Sequence, residues 1–384
     1  MHGDGSMRMR RFLISLIVTA GAGFGPSPLC FAQSAADVKD APAPAIQINV
    51  FASAGFTFNF NNPDSGMNAY RVFDGDDRTA ELNVVELVVQ KAAVKVWDLG
   101  FRADVVAGRS IPKVEAASGL FRDPDTGESH DYDLQQAFAS LILPLGSGLK
   151  MDAGKFITPL GYEVIEGYDG YNDNASRSFL FGYAIPFTHT GLRFGYSFSD
   201  HLSGQLLLVE GWDNDRDNNS ALSEGAQLAW TPGPAFTLAV AALAGPEQEN
   251  NNRNDREIYD LTAIWKATPR LGLGINADYG HETAALGPGR DAVWSGAALY
   301  ATYKFTDEFS LALRAERFDD RDGARTGTAQ SLREITVTPS YAIGKHVVVR
   351  GDLRLDTSDQ YVFQKNGDLV RRQPTVSLNI LYIY

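Results

Sequence analysis

Residues 46–60 read IQINVFASAGFTFNF, and side-chain character alternates along them with a period of two. One face is apolar and carries Ile46, Ile48, Val50, Ala52, Ala54, Phe56, Phe58 and Phe60. The other is mostly polar or small and carries Gln47, Asn49, Phe51, Ser53, Gly55, Thr57 and Asn59. A helix with 3.6 residues per turn would scatter both sets around its circumference. The stretch is therefore predicted to be a β-strand with two different faces.

The same alternation recurs to the end of the chain, for example over 99–108, 347–356 and 376–384. We predict a single all-β domain over 46–384, a transmembrane antiparallel up-and-down β-barrel of about sixteen strands. Because strand boundaries are imprecise in a sequence, fourteen or eighteen strands stay open. The predicted strands are 46–60, 81–94, 96–109, 131–143, 149–157, 188–199, 201–211, 222–231, 235–245, 257–267, 270–280, 292–305, 309–318, 331–343, 345–357 and 372–384.

A soluble β-sandwich also alternates, and it is the main competing fold. Two features favour the barrel. Short links between the predicted strands alternate with long polar ones, as short periplasmic turns and long extracellular loops do in outer-membrane barrels. All five tryptophans also lie at predicted strand ends, Trp97, Trp230 and Trp265 at one end and Trp212 and Trp294 at the other. This placement predicts two aromatic girdles at the headgroup level.

The first 32 residues have the pattern of a secretory signal peptide. A basic start at 7–11 precedes an apolar stretch at 12–18 and a small-residue cleavage site before Gln33. Residues 33–45 are then predicted to be a periplasmic linker. Removal of 1–32 takes away the single cysteine, Cys30, and leaves 31 basic and 46 acidic residues, a net charge of −15. This acidity argues against a nucleic-acid partner.

Three motifs resemble a known family. They are GKFITPLGYE at 154–163, NDNASRS at 172–178 and PFTHTG at 186–191. In this order they resemble the outer-membrane porins called putative β-barrel porin type 2, or OmpL-like. The resemblance implies an outer-membrane porin and no particular solute.

The longest predicted link, 158–187, lies between the fifth and sixth strands. In general porins of sixteen strands the loop at this place folds into the pore and narrows it. By this analogy the charged side chains of the link are predicted to line a constriction. They are Glu163, Glu166, Asp169, Asp173 and Arg177.

Charged residues on the polar strand faces are predicted to line the lumen wall, because charge is costly on a lipid-facing surface. Two roles stay open for them: selection of solutes, or structural ion pairs between strands. The set comprises Arg102, Asp104, His189, Arg193, Asp278, Arg314, Glu316, Arg350, Asp352, Arg354 and Asp356.

One segment has the acidic spacing of a calcium-binding loop. Asp213, Asp215, Asp217 and Glu224 match positions 1, 3, 5 and 12 of an EF-hand loop. Asn218 stands where that loop has glycine, and flanking helices are absent from the predicted pattern. An extracellular loop rich in Asp and Asn is the simpler interpretation, and no other cofactor is predicted.

No nucleophile elbow, zinc-protease motif or nucleotide-binding loop occurs in the sequence, so we predict that the protein is not an enzyme. The predicted function is passive diffusion of small hydrophilic solutes or ions across the outer membrane of a Gram-negative bacterium. The alternative is a structural or adhesive barrel whose loops bind partners. The expected partners are outer-membrane lipid, the barrel-assembly machinery and, by analogy to general porins, two further copies of the chain. Both termini are expected on the periplasmic side.

Overall fold

A computed structural model describes residues 45–114, 120–121 and 126–384. The predicted signal peptide and the linker up to residue 44 lie outside the described residues. Sixteen of the strands form one closed antiparallel barrel. Their bounds are β1 (Gln47–Asn59), β2 (Thr79–Lys91), β3 (Leu99–Ala107), β4 (Tyr132–Leu143), β5 (Leu149–Ile157), β6 (Thr188–Ser199), β7 (Leu202–Val209), β8 (Ser223–Gly233), β9 (Phe236–Pro246), β10 (Asp255–Lys266), β11 (Leu271–Glu282), β12 (Ala292–Lys304), β13 (Phe309–Asp320), β14 (Gln330–Ile343), β15 (Val347–Ser358) and β18 (Arg372–Ile383).

Three short elements lie in the long loops. They are a single turn α1 (Ile111–Val114), a π-helical turn (Leu180–Ala184), and a small hairpin of β16 (Phe363–Lys365) and β17 (Asp368–Val370). The alternating pattern does not predict the hairpin, because three residues are too few to show a period. No helix among the described residues has the length and apolar character needed to span a membrane.

The barrel closes between its first and last strands. β1 pairs with β18 from Phe51 opposite Ile383 to Asn59 opposite Thr375. Beyond the strand end, Tyr384 N donates to Val50 O at 2.8 Å and Val50 N donates to Tyr384 O at 2.9 Å. The prediction of a sixteen-stranded antiparallel barrel is confirmed. Closure pairs every strand of the barrel on both sides. A sheet within lipid requires this, because lipid cannot satisfy the backbone groups of an open edge.

The two faces of each strand are distinct. On β15, Leu353 is 58% exposed while its neighbour Asp352 is 2% exposed. On β1, Phe56 and Phe60 are exposed while Ser53 is buried. The period of two therefore places an apolar surface outside and a polar wall inside, as the sequence predicts.

All long loops lie at one end of the barrel and all short turns at the other, because antiparallel neighbours alternate in direction. The short turn after β14 uses Gly344 with a φ of 64°, a conformation that favours glycine. Trp97, Trp230 and Trp265 are about half exposed or more and surround the short-turn end.

The prediction that Trp212 and Trp294 belong to a second girdle is wrong. Trp212 and Trp294, at the long-loop end, are 6% and 0% exposed. Trp294 lies on the inner face of β12, where Gly280 on the neighbouring strand makes room: a Cβ there would lie 2.0 Å from the indole. The loops cover this end and bury both rings, and strand-end position alone does not distinguish inside from outside.

Candidate functional site

The inner loop, residues 158–187, lies inside the barrel between β5 and β6. It contacts the wall at several strands. Gln227 Nε2 on β8 donates to Pro159 O at 2.6 Å. Trp294 Nε1 on β12 donates to Ala184 O at 3.1 Å. Tyr162 stacks on Tyr300 of β12 with ring centroids 3.9 Å apart. These contacts hold the two ends of the loop against β8 and β12, whereas Tyr168 and Asp169 in its middle reach the wall at β2 and β3.

Arg314 on β13 is the central anchor of the inner loop. Its side chain is fully buried. Nη1 pairs with Glu163 Oε1 at 2.6 Å and donates to Ser176 O at 2.7 Å. Nε pairs with Glu334 Oε1 of β14 at 2.7 Å. One guanidinium therefore joins two strands to both halves of the inner loop, and its charge is compensated on two sides.

Two further arginines on β15 hold the loop in the same way. Arg350 Nη2 pairs with Glu166 Oε1 at 2.6 Å, and Glu166 Oε2 also pairs with Arg177 at 3.3 Å. Arg354 donates to the backbone oxygen of Arg177 and pairs with Asp356 at 2.7 Å. Because these arginines are covered by the loop, they are withdrawn from the open part of the lumen.

Wall carboxylates satisfy the loop's backbone N–H groups. Asp352 accepts from Ser176 N at 2.7 Å and from Ala175 N at 3.0 Å. Glu316 accepts from Phe179 N at 2.7 Å and from Leu180 N at 2.6 Å. Buried N–H groups without a partner are costly, so these acids fix the loop where regular secondary structure is absent.

An aromatic core joins the inner loop to the other loops. Phe73, in the loop after β1, lies 5.8 Å from Phe181 and 6.0 Å from Phe187, measured between ring centroids. Trp212 meets Trp294 edge to face at 6.2 Å. The long-loop end of the lumen is therefore packed with apolar side chains on the side that carries the inner loop.

A cavity of about 700 Å³, counting the space that is open to solvent, lies on the opposite side. We call it the side cavity. Its walls are β1, β2 and β18, the loop after β1, and the inner loop at Glu166 and Arg177. Its polar lining side chains are Ser53, Thr57, Asp74, Asp76, Thr79, Glu81, Asn83, Ser110, Gln135, Glu166, Ser176, Arg177, Ser377 and Asn379.

The five predicted constriction residues do not share one surface. Glu166 and Arg177 line the side cavity. Glu163 is 4% exposed and faces Arg314. Asp169 pairs with Arg102 of β3 at 2.6 Å, and Asp173 accepts from Thr302 at 2.6 Å. The acids of the loop mostly bind the wall, because the wall offers buried donors that need them.

The predicted wall residues lie on the inner side of the barrel, and most pair with neighbours. Arg102 bonds Asp104 at 2.8 Å, and Arg193 bonds Asp152 at 2.8 Å. The set is buried or nearly so: Arg102, Asp104, His189, Arg193, Asp278, Arg314, Glu316, Arg350, Asp352, Arg354 and Asp356. This geometry supports the structural alternative. The charges pair within one strand, as Arg102 and Asp104 do, between strands, as Arg193 and Asp152 do, or with the inner loop, as Arg314 does.

Sequence reasoning missed several participants. Glu86 and Glu334 occupy the same polar faces as the predicted wall residues, so the period of two could have found them. Glu86 accepts from Tyr168 N of the inner loop at 2.6 Å. Arg71 and Phe73 lie in a loop without a period. Arg71 bonds Asp356 of β15 at 2.8 Å, a contact between segments distant in the sequence that no local pattern shows.

The four residues predicted to bind calcium do not gather around one point. Asp213 accepts from Phe187 N at 2.5 Å and Thr188 N at 3.0 Å, and burial raises its pKa to about 6. Asp217 accepts from Asn219 N and Ser220 N within its own turn. Glu224 is exposed on the outer face of β8, and Asp215 is partly buried. Across the described ranges, no three His, Cys, Asp or Glu side chains are placed to hold a metal ion. Calcium binding stays a prediction that this geometry does not support.

Comparison with known proteins decides the family. The family described as putative beta-barrel porin-2, OmpL-like, matches residues 45–383. The chain belongs to this family. It is an outer-membrane porin of the Gram-negative type, and the resemblance of the three motifs is confirmed.

Solved structures share the porin's fold at low sequence identity. The anion-selective porin from Comamonas acidovorans is 10% identical with a TM-score of 0.60, covering 88% of this chain and 99% of that one. The outer membrane channel DcaP of Acinetobacter baumannii is 10% identical with a TM-score of 0.61, covering 89% and 98%. OmpT of Vibrio cholerae in a trimer form is 10% identical with a TM-score of 0.56, covering 89% and 100%. No curated protein sequence matches the porin significantly.

Proposed function

We propose that the porin lets small hydrophilic solutes and ions diffuse passively through a passage that runs along β1, β2 and β18. The single observation that carries this path is the position of the inner loop. Arg314, Arg350 and Arg354 hold residues 163–166 and 176–177 against β13 to β15. Tyr168 and Asp169 of the loop reach β2 and β3, and the side cavity stays beside Glu166 and Arg177. A barrel of about sixteen strands has a lumen wide enough for such a channel.

In this proposal the constriction is formed by Glu166 and Arg177 of the inner loop, facing Phe73 and Asp74. The Arg177 guanidinium lies 5.0 Å from the Phe73 ring centroid, which joins the inner loop to the loop after β1. The other wall charges are structural. No step of the proposed transport needs a cofactor or catalysis, in keeping with a porin family and fold.

The wider setting is proposed from the sequence and the barrel's polarity. Residues 1–32 direct export and are removed, and both termini and the short turns face the periplasm. The apolar outer face contacts lipid, and β18 is presented to the barrel-assembly machinery. A homotrimer is supported by the trimer form of OmpT.

One observation favours the alternative of a structural or adhesive barrel without an open pore. The inner loop and the aromatic core fill much of the lumen at the long-loop end, with Phe179, Leu180 and Phe181 almost fully buried. A plugged barrel would present its loops to partners and pass no solute.

Conductance in a planar bilayer separates the two functions. We expect the refolded mature porin to give discrete current steps in 1 M KCl, because water-filled space lies beside the inner loop. Their amplitude should be smaller than that of a variant in which Gly and Ser replace residues 164–176. Protein-free detergent is the control. Absence of steps from well-folded, heat-modifiable porin would support the structural barrel.

A further inference from the structure

We infer that the side cavity is a binding station for uncharged polyhydroxylated solutes, such as monosaccharides. This inference rests on the proposed function, because it assigns a solute class to the proposed passage. Three features of the cavity support it: its charges are paired, many of its side chains are polar but uncharged, and two of its polar atoms have no hydrogen-bond partner among the described residues.

The charges around the side cavity compensate one another. Asp74 pairs with Arg71 at 2.5 Å, and Asp76 lies 3.4 Å from Arg109. The pKa of Asp76 is lowered by its hydrogen bond with Glu81 and then by Arg109 and by Lys113.

Glu166 carries two counterions, Arg177 and Arg350. The net acidity of the chain is therefore not concentrated here. An ion entering the cavity would lose hydration without meeting a wall of opposite charge.

Uncharged donors and acceptors make up half of the remaining lining. Hydroxyl and amide side chains come from four strands, β1, β2, β4 and β18, and from two loops, so they surround a solute from several directions. Such groups exchange hydrogen bonds with hydroxyls as donors or acceptors without a fixed charge. They are Ser53, Thr57, Thr79, Asn83, Ser110, Gln135, Ser176, Ser377 and Asn379.

Two lining side chains also have atoms without a partner among the described residues. Ser377 Oγ and Arg177 Nε are buried and make no hydrogen bond. The partly exposed Phe73 ring adds an apolar surface beside them. A concave site that combines polar side chains from several directions with an aromatic surface suits a compact polyol.

The test compares three solutes of equal size and different charge: glucose, gluconate and glucosamine. Ion current through the porin in a planar bilayer is recorded while each is added. We expect saturable block by glucose, with a half-blocking concentration about threefold or more below that of either charged analogue. Ser377→Val should raise the value for glucose about two- to tenfold, the effect of one lost hydrogen bond. Ser203→Val, on the inner face of β7 away from the cavity, should leave it unchanged.

Equal or absent block by the three solutes would overturn the inference, as would stronger block by gluconate or glucosamine. An equal effect of Ser377→Val and Ser203→Val would overturn the assignment to this cavity. Porin that passes no ion current at all would instead contradict the proposed function, and the inference would fall with it.

Discussion

Replacing Arg314 with methionine should destabilise the porin by about 3–5 kcal/mol and release the inner loop from the wall. The substitution leaves Glu163 and Glu334, 4% and 2% exposed, without their shared counterion. It also removes the donor to Ser176 O. Glu163 keeps the Ser178 N–H as a donor, and Glu334 keeps Arg354 at 3.7 Å. Both lose their closest counterion, so the loop should detach from this part of the wall.

Two measurements report the effect of Arg314→Met. The urea midpoint for loss of the heat-modifiable barrel gives the stability, and single-channel recording gives the state of the loop. We expect a lower midpoint with larger and noisier current steps. Arg317→Met is the matched control, because Arg317 lies three residues away on β13 with an exposed side chain. Equal effects of the two substitutions would contradict the anchoring role of Arg314.

Replacing Trp294 with alanine should cost a similar free energy of unfolding, about 3–5 kcal/mol. The indole is fully buried, meets Trp212 edge to face and donates to Ala184 O at the end of the π-helical turn. Its loss opens a cavity where the inner loop returns to the wall. Gly280 opposite cannot fill the space, since it has no side chain.

Trp265→Ala is the control for that experiment. Trp265 is 50% exposed on the outer face of β10. Its removal should lower the urea midpoint by much less, and the conductance should stay unchanged. If Trp265→Ala were as costly as Trp294→Ala, membrane anchoring rather than packing inside the barrel would dominate the effect of tryptophan.

The barrel could be predicted from the sequence because its signals are local. Period-two alternation assigns both a strand and its inner face without any knowledge of neighbours, and Asp104, Arg350 and Asp352 are buried on that face. The same rule would have included Glu86 and Glu334. Strand count and order then follow from an up-and-down chain, in which each strand pairs with the next.

The interior of the lumen could not be predicted in the same way. The loop after β1 brings Arg71 to Asp356, far away in sequence, and no periodicity encodes that contact. Trp212 and Trp294 were assigned to a girdle because strand ends usually lie at the headgroups. The loops bury them instead. The analogy to general porins assigns the charges of the inner loop to a pore lining, whereas Glu163 forms an ion pair with the buried Arg314.

The central claim is that solutes pass along β1, β2 and β18 and not between the inner loop and β12 to β15. Because Cys30 is the only cysteine, a chain beginning at residue 33 has none. A single cysteine can therefore be placed at Asn83, which lines the side cavity, or at Thr338, which is buried behind the inner loop.

A bulky methanethiosulfonate reagent is then added during single-channel recording. The account predicts a stable loss of about half the conductance or more for Asn83→Cys and no change for Thr338→Cys. Loss of conductance at Thr338→Cys with none at Asn83→Cys would contradict it, and would place the passage on the other side of the inner loop.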